Sequence, residues 1–240
     1  IESMYRARSG AYRLYTLKER YNGKPLPDVE IVDMRQEMKL GNDLSLSVPL
    51  RHAMMEARDS GKQTILLLNR RGNSRAVVCV DCRETPECPR CSVRMTYHSA
   101  NHRLMCHYCG HSQSAPDRCP SCGGPMKTIG TGTQKVQEEL EFLFPDWENL
   151  RMDTDTVNAV NTHEKILDTF QKEKIPVLIG TQMVAKGLNL PDVTLVGVLD
   201  ADLSLYTGGY RAGETTFNML TQVVGHAGRG DTAGRAMIQT

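Results

Sequence analysis

The sequence predicts an α/β protein with a mostly parallel sheet, helices on both faces and a small inserted cysteine-rich module. Short apolar runs typical of buried strands alternate with apolar residues at helical spacing over most of the 240 residues. Such alternation is typical of parallel sheets that are covered on both faces. All eight cysteines lie between residues 79 and 122, and this clustering marks the inserted module.

The first third of the chain contains two predicted helices and three predicted strands. Apolar residues at helical spacing start near residue 44, Gly61 ends that helix, and an unbroken apolar run then predicts a buried strand. The predicted elements are a short helical start, a Tyr-rich strand at 12–17, a turn at 22–25, a strand at 29–32, a helix at 44–58 and a strand at 65–68.

The part after the cysteines continues the alternation of strands and helices. Its helices are predicted from apolar spacing and its strands from short aliphatic runs. The predicted elements are a turn at 130–133, a helix through Val136, Leu140 and Leu143, strands at 150–152 and 177–179 with a helix at 163–171 between them, a strand at 193–199, a helix at 214–224 and a strand at 236–240.

Three polar segments follow predicted strands of the parallel sheet. They cover residues 69–72, 180–187 and 200–202. Ligands of open parallel sheets gather at the carboxyl ends of the strands. We therefore expect one functional edge there.

The cysteines form four Cys-x-x-Cys pairs, and this spacing lets both thiolates of a pair face one tetrahedral ion from a tight turn. A disulfide framework is typical of small secreted domains, and this chain shows no signal peptide. Iron–sulfur runs crowd their cysteines at shorter, irregular spacings. Eight thiolates satisfy two four-thiolate zinc sites, so His98, His102, His107 and His111 are not required as ligands.

The spacing also predicts which pairs share an ion. The runs 95–98 and 102–105 alternate around Ser99-Ala100-Asn101 and predict a β-hairpin, which brings the second and third pairs together. Because the module is small and poor in large apolar side chains, zinc should supply much of its folding free energy. The expected sites are Cys79, Cys82, Cys119 and Cys122 (site 1), and Cys88, Cys91, Cys106 and Cys109 (site 2).

Composition and motif searches limit the remaining possibilities. The net charge is +1, and no apolar run is long enough to span a bilayer, so we expect a soluble protein. The dipeptide Gly61-Lys62 lacks the upstream glycine and the following Ser or Thr of a P-loop. No Asp-Glu pair follows an apolar strand to hold Mg²⁺, so nucleotide hydrolysis would need another domain. The chain begins at Ile1, and we expect it to be a piece of a longer protein.

Several motifs together resemble the PriA family of replication-restart DNA helicases. The resemblance depends on their order, and a cysteine-rich insert within a helicase lobe is the most specific feature. The motifs are the segments 66–72, 130–133, 178–187 and 222–229 together with the four cysteine pairs.

The resemblance implies a superfamily 2 motor in which two RecA-like lobes clamp ATP with Mg²⁺ and step 3′ to 5′ along single-stranded DNA. This chain would supply the second lobe, and the P-loop lobe would lie upstream. The implied domains are 1–43 (exit from the first lobe and linker), 44–78 plus 123–240 (RecA-like lobe 2) and 79–122 (module with two structural zinc ions).

The resemblance also implies which residues face the nucleotide. Arg229 matches an ATP-facing arginine, which would stabilise charge on the transferring phosphoryl group, and Gln222 would connect nucleotide to DNA. Both are candidate catalytic residues, and Gly187 and His226 join them as candidate nucleotide-binding residues. The family usually has arginine where this chain has His226, and a largely neutral imidazole cannot replace that charge. From the residues alone, a cap after the last helix is the alternative role for Arg229.

The DNA-contacting residues implied by the resemblance are hydroxyl, amide and cationic side chains. Such groups position phosphates without reading bases, as a motor that moves over any sequence requires. Ordinary loop, cap and surface-charge roles explain the same residues. The candidates are Asn69, Arg70, Arg71, Thr131, Thr133, Thr181, Gln182 and Lys186.

In the family the module is associated with unwinding and with primosome assembly. Tyr97, His98 and Tyr108 could stack on exposed bases or pack the module. The implied partners are single-stranded and forked DNA, single-strand DNA-binding protein and primosome or helicase-loading proteins. We expect a monomer in the bacterial cytoplasm, associated with the nucleoid and not with a membrane. A catalytically idle scaffold that displays a zinc-dependent protein- or nucleic-acid-binding module is the alternative.

Overall fold

The computed structural model describes residues 1–18, 23, 25–68, 74–98, 101–129, 132–152, 160–181, 190–207 and 210–240. Its strands form a six-stranded sheet and a five-stranded sheet. The strands are β1 (Asp28–Val32), β2 (Gln63–Leu68), β3 (Ser74–Cys79), β4 (Thr96–His98), β5 (Arg103–Met105), β6 (Ser112–Ser114), β7 (Met126–Ile129), β8 (Asn149–Met152), β9 (Val177–Gly180), β10 (Val193–Leu199) and β11 (Arg235–Gln239).

The six-stranded sheet has the order β1-β11-β10-β2-β9-β8, and every pairing in it is parallel. Strands β10, β2 and β9 are neighbours, so their carboxyl ends meet at one edge. Leu199 is in register with Leu68, and Leu67 is in register with Gly180. The mostly parallel sheet that the alternating pattern predicts is therefore confirmed.

Helices cover both faces of this sheet. In β2, Ile65 and Leu67 belong to one buried cluster and Leu66 and Leu68 to the other, as the two-residue period of a strand requires. Burying one such side chain contributes roughly 1.5–3 kcal/mol. The helices are α1 (Glu2–Arg8), α2 (Met34–Lys39), α3 (Val48–Asp59), α4 (Thr133–Leu143), α5 (Val160–Lys172), α6 (Leu203–Thr207) and α7 (Ala212–Val224).

The expected linker, residues 1–43, contributes to the sheet. Strand β1 pairs with β11 along its whole length. Beyond it, the loop before α3 is held by buried side chains. Glu139 accepts hydrogen bonds from the Ser45 N–H (2.8 Å) and hydroxyl (3.0 Å), and Gln239 accepts from the Ser47 N–H at 2.9 Å. The lobe thus begins before residue 44, because β1 is the edge strand of its sheet and pairs with β11.

Two local predictions in this region differ from the structure. The Tyr-rich run 12–17 forms no strand, and Leu17 is 94% exposed. A strand needs a partner for its backbone groups, and alternation alone does not supply one. The helix expected from residue 44 begins at Val48, because Ser47 is its N-cap and accepts a hydrogen bond from the Leu50 N–H at 3.2 Å.

The five-stranded sheet is antiparallel and has the order β6-β5-β4-β3-β7. It contains the predicted hairpin, as β4 and β5. Strands β3 and β7 pair in a register that sets Cys79 opposite Met126. The inserted sheet therefore reaches from 74 to 129, beyond the expected limits of 79 and 122, because the chain enters and leaves on paired strands.

The inserted sheet has a small core of its own. Val77, Met95, Tyr97 and Leu104 are buried together with Cys88 and Cys106. Tyr97 is 8% exposed, so it packs the module. In the described part of the chain, no helix is long and apolar enough to cross a membrane.

Candidate metal centres and helicase-lobe residues

The four Cys-x-x-Cys turns share one backbone conformation. In each turn the N–H of the first cysteine donates to the carbonyl five residues ahead, and that cysteine's carbonyl accepts from the N–H four residues ahead. The residue after the second cysteine takes a left-handed φ. The left-handed residues are Arg83 (64°), Ser92 (52°), Gly110 (74°) and Gly123 (75°).

The left-handed positions lead to a stability prediction. A side chain with Cβ is strained in this conformation by roughly 1–2 kcal/mol, and glycine is not, although glycine loses more entropy on folding. We expect Ser92→Gly to raise the stability of the zinc-loaded chain by up to about 1 kcal/mol, measured by chemical denaturation. Arg90→Gly is the matched control, because Arg90 lies in the same turn without a positive φ. Equal destabilisation by both substitutions would contradict the prediction.

The turns gather the cysteines into two sets of four, Cys79, Cys82, Cys119 and Cys122, and Cys88, Cys91, Cys106 and Cys109. Within each set all four sulfurs lie within 4.8 Å of one another. The Sγ atoms of Cys79 and Cys122 are 3.5 Å apart, and those of Cys88 and Cys109 are 3.6 Å apart. A tetrahedral ion with Zn–S distances of about 2.3 Å requires a separation of about 3.8 Å. Both donor sets therefore fit zinc.

The electrostatics of the second set also favour a bound cation. The backbone N–H of His111 and the Cys91 thiol lower the pKa of Cys109 to about 7. The hydrogen bond with Cys109, together with loss of hydration, raises the pKa of Cys91 to about 12. Thiols this close do not ionise together at neutral pH without a compensating charge, and a divalent ion supplies it.

The nested grouping can be tested by removing one ligand from each set. We expect Cys82→Ser and Cys91→Ser each to lower the zinc content from two ions to about one per chain, measured by elemental analysis. The double variant should then contain no tightly bound zinc, because the two substitutions affect different sites. A double variant that keeps the same single ion as either parent would refute the grouping.

The histidines among the cysteines hydrogen-bond to other side chains. His98 and His107 face each other with their Nε2 atoms 3.2 Å apart, and the Tyr97 hydroxyl lies 2.8 Å from His102 Nδ1. His111 Nε2 lies 3.3 Å from Gln113 Oε1. In the described residues the four-ligand groups contain cysteines only.

Arg229 lies beside the amino end of β10. It follows the end of α7, and its Nε donates to the Gly225 carbonyl at 3.1 Å. The loop is fixed because the Gly228 N–H donates to the Val193 carbonyl at 3.0 Å. A Cβ on Gly230 would stand 2.2 Å from the Pro191 carbonyl oxygen, so only glycine fits there. The half-buried arginine is thus held in place by its backbone.

The other nucleotide candidates on this segment differ in exposure. Gln222 is exposed on α7, whereas His226 is 2% exposed. A nucleotide contact by His226 stays a prediction, and its burial does not favour it. A buried position of this kind is consistent with a packing role for His226.

Thr181 and Asp200 lie at the opposite end of the strands from Arg229. Thr181 follows β9 directly and is half-buried, and Asp200 follows β10. Seven residues of β10 span about 20 Å, so the candidate residues fall into two groups. Thr133 opens α4 and is 8% exposed. The remaining candidates lie outside the described residues: Asn69, Arg70, Arg71, Thr131, Gln182, Lys186 and Gly187.

Sequence reasoning missed α6, the short helix after Asp200–Asp202. Asp200 has φ 49°, which turns the chain sharply into α6. Burial, and the neighbouring Asp200 charge, raise the pKa of Asp202. The sequence has two aspartates directly after a buried strand. This pattern indicates the end of a strand, but it does not indicate that a helix begins there.

The fold and the two cysteine sets define a RecA-like helicase C-terminal lobe that carries a zinc-binding module. Residues 131–231 match the family model of the helicase conserved C-terminal domain, and residues 88–113, which contain the second cysteine set, match that of the PriA DNA helicase Cys-rich region. By homology over its whole length, the chain belongs to the PriA family of replication restart proteins, of which it represents a segment.

Three relatives illustrate the similarity, each called replication restart protein PriA. The Bacillus subtilis protein is 47% identical, with 100% of this chain and 30% of the relative covered. The Synechocystis protein is 45% identical over 93% of this chain and 28% of its own length. The Rickettsia felis protein is 39% identical over 100% of this chain and 37% of its own length. The chain thus spans about a third of the relatives it matches.

Proposed function

We propose that the chain is the second motor lobe and zinc module of an ATP-dependent 3′-to-5′ DNA helicase that acts in replication restart and primosome assembly. The observation that carries the proposal is the occurrence of a PriA cysteine-rich region within a helicase C-terminal lobe. Motors of this class hydrolyse ATP between two lobes. The chain contains no P-loop, so hydrolysis requires the lobe that supplies it.

In this proposal Arg229 is the catalytic residue of the chain. Its guanidinium is planar and permanently charged, and it would stabilise the charge that develops on the transferring phosphoryl group. The hydrogen bond to the Gly225 carbonyl uses one of its five N–H donors and fixes its direction. Gln222 precedes Arg229 in the chain, lies in the last turn of α7 and would connect the nucleotide to DNA. Gly187 completes the proposed nucleotide contacts.

The DNA contacts are assigned to the opposite end of the strands. The half-buried Thr181 would donate its hydroxyl to a phosphate, with Gln182 and Lys186 following it along the same segment. Asn69, Arg70 and Arg71 follow the neighbouring strand β2 and would contact the same backbone. Thr131 would join them at the start of α4, whereas the burial of Thr133 favours a structural role. The length of β10, about 20 Å, separates the end of the sheet at Thr181 from the end at Arg229, so DNA and ATP would contact these two residues at different places on the lobe.

The two cysteine sets would each hold one structural zinc ion. Four thiolates close the coordination sphere and leave no position for a catalytic water. The first cysteine of each pair is buried and the second is more exposed. Each ion would therefore lie at the module surface and link two of the Cys-x-x-Cys turns. The ions would fix the shape that the module presents to forked DNA, single-strand DNA-binding protein and helicase-loading proteins.

The proposal places the whole protein in the bacterial cytoplasm, associated with the nucleoid, as a monomer. Residues 79–122 of the module contain five arginines against four carboxylates. Such a balance gives little non-specific attraction to DNA. The module would therefore contribute shape and partner contacts more than charge.

The test joins the chain to the upstream sequence of its parent protein. We expect ATP hydrolysis that single-stranded DNA stimulates in the joined protein. The chain alone should show no appreciable ATPase activity and should bind single-stranded DNA weakly, with an affinity that falls as salt rises. A joined protein that binds DNA without hydrolysing ATP would overturn the proposal and support the alternative, a zinc-dependent binding module on an idle scaffold.

A further inference from the structure

We propose that α6 couples the zinc module to α7, the helix that leads to Arg229. The inference rests on the proposed function only in naming Arg229 as the residue affected; the mechanical link itself is independent of it. Three contacts between described residues carry it. Two of them join the module to α6, and the third joins α6 to α7.

The first contact joins the module to α6. The Arg94 Nη1 donates a hydrogen bond to the Leu205 carbonyl. Arg94 lies three residues beyond Cys91 and forms an isolated bridge with Glu87, so it belongs to the frame of the second cysteine set. Leu205 lies in the last turn of α6, whose carbonyls have no partner within the helix. A charged donor is therefore well placed at this end of α6.

The second contact joins the first cysteine set to α6, because β3, the strand that ends at Cys79, lies next to α6; charges near this set also act on the residue that precedes the helix. Arg83 follows Cys82 directly, and Asp202 precedes Leu203, the first residue of α6. Burial and Asp200 raise the pKa of Asp202, while the charges of Arg35 and Arg83 act on it in the opposite sense. The charge of Asp33, which is paired with Arg35 at 2.7 Å, also raises the pKa of Asp202.

The third contact joins α6 to α7. Ser204 Oγ lies 2.5 Å from Thr216 Oγ1, and Thr216 donates to the Ala212 carbonyl at 2.7 Å. Both Leu203 and Thr216 are buried, at 4% and 5% exposure. From Thr216 the helix continues without interruption to Val224, and Arg229 donates to the carbonyl of the next residue, Gly225.

These contacts make α6 a joint with a packed neighbour on each side. A change in the position of the module displaces Leu205 and Ser204 together, because they lie in the same helical turn. Since α7 is a single helix, a shift at Thr216 reaches its far end as a rigid movement. The zinc-held shape of the module would in this way influence where Arg229 lies.

The test measures amide hydrogen exchange in the zinc-loaded 240-residue chain. Arg94→Ala should accelerate exchange about tenfold in 203–205 and in the first two turns of α7, because the joint loses its charged hydrogen bond. Arg90→Ala is the matched control: it removes the same charge from an exposed residue of the same cysteine set. Both variants should retain two zinc ions. Equal exchange rates in the two variants would overturn the proposal.

A second variant keeps the proposal falsifiable if Arg94→Ala disturbs the module itself. Thr216→Val preserves the shape of the side chain and removes the hydroxyl that meets Ser204. In the Thr216→Val background, Arg94→Ala should still accelerate exchange in α6 but no longer in α7. Acceleration in α7 that persists without the hydroxyl would refute the link. An exchange effect without any change in ATP hydrolysis by the joined protein would support the link and contradict the role proposed for Arg229.

Discussion

Removal of zinc should unfold the inserted module and leave the parallel sheet intact. Among the residues that the structure describes, the buried cluster of the module holds four large side chains besides cysteine, namely Val77, Met95, Tyr97 and Leu104, with Met126 partly buried against them. A core of this size supplies at most a few kcal/mol, whereas a structural zinc site contributes about 10–16 kcal/mol. The lobe retains two separate clusters on the two faces of its sheet. We therefore expect a strong chelator to unfold 74–129 selectively.

Amide hydrogen exchange distinguishes the two parts of the chain. With chelator, amides in β3, β4 and β7 should exchange at the rate of an unfolded chain, while those in β2 and β10 stay protected. Cys106→Ser should reproduce this loss in the second set, because a hydroxyl is a poor substitute for a thiolate ligand. Ser114→Ala, an exposed change in β6, should have no effect. Persistent protection of β4 in the presence of chelator would show that the module folds without metal.

Arg229→Ala should abolish most of the ATP hydrolysis of the joined protein. A transition-state arginine of this kind accelerates phosphoryl transfer by about 10³–10⁵-fold. Steady-state kinetics should show a fall in kcat of about 10³-fold with KM for ATP changed little, since the arginine acts on charge that develops in the transition state. Arg229→Lys should recover only part of the rate, because an ammonium cannot reproduce the planar fork.

The helix-end contact of Arg229 requires a control for folding. Loss of the hydrogen bond to the Gly225 carbonyl should cost about 1 kcal/mol of stability, which thermal unfolding measures. Arg58→Ala removes an arginine that lies over the Trp147 ring, at 4.8 Å, and should leave kcat unchanged. A wild-type kcat in Arg229→Ala would remove this residue from catalysis and leave it only the role of a helix cap.

The alternation of apolar runs was sufficient to predict the parallel sheet, because residues such as Ile65 to Leu68 are buried on both faces and leave no other arrangement. The two alternating runs between the second and third cysteine pairs likewise predicted the hairpin of β4 and β5. Both signals are local and repeat along the chain. They arise from periods that the backbone itself imposes.

Long-range pairing was harder to predict. Strand β1 was expected in a linker, and its pairing with β11 joins residues about 200 positions apart. Strands β3 and β7 were missed for the same reason, since neither is apolar enough to be recognised without its partner. The position of Arg229 at the amino end of β10 depends on close glycine contacts, which no pattern along the sequence reveals.

The pairing of β3 with β7 sets the entrance and exit of the module side by side, with Ala76 opposite Ile129. To the host lobe, the whole insert is therefore equivalent to the tip of one hairpin. Closing a loop costs free energy that grows only with the logarithm of its length. Replacing a short turn by this domain therefore lowers the stability of the host lobe very little. An ancestral lobe could have gained such an insert in one step, without refolding its own sheet.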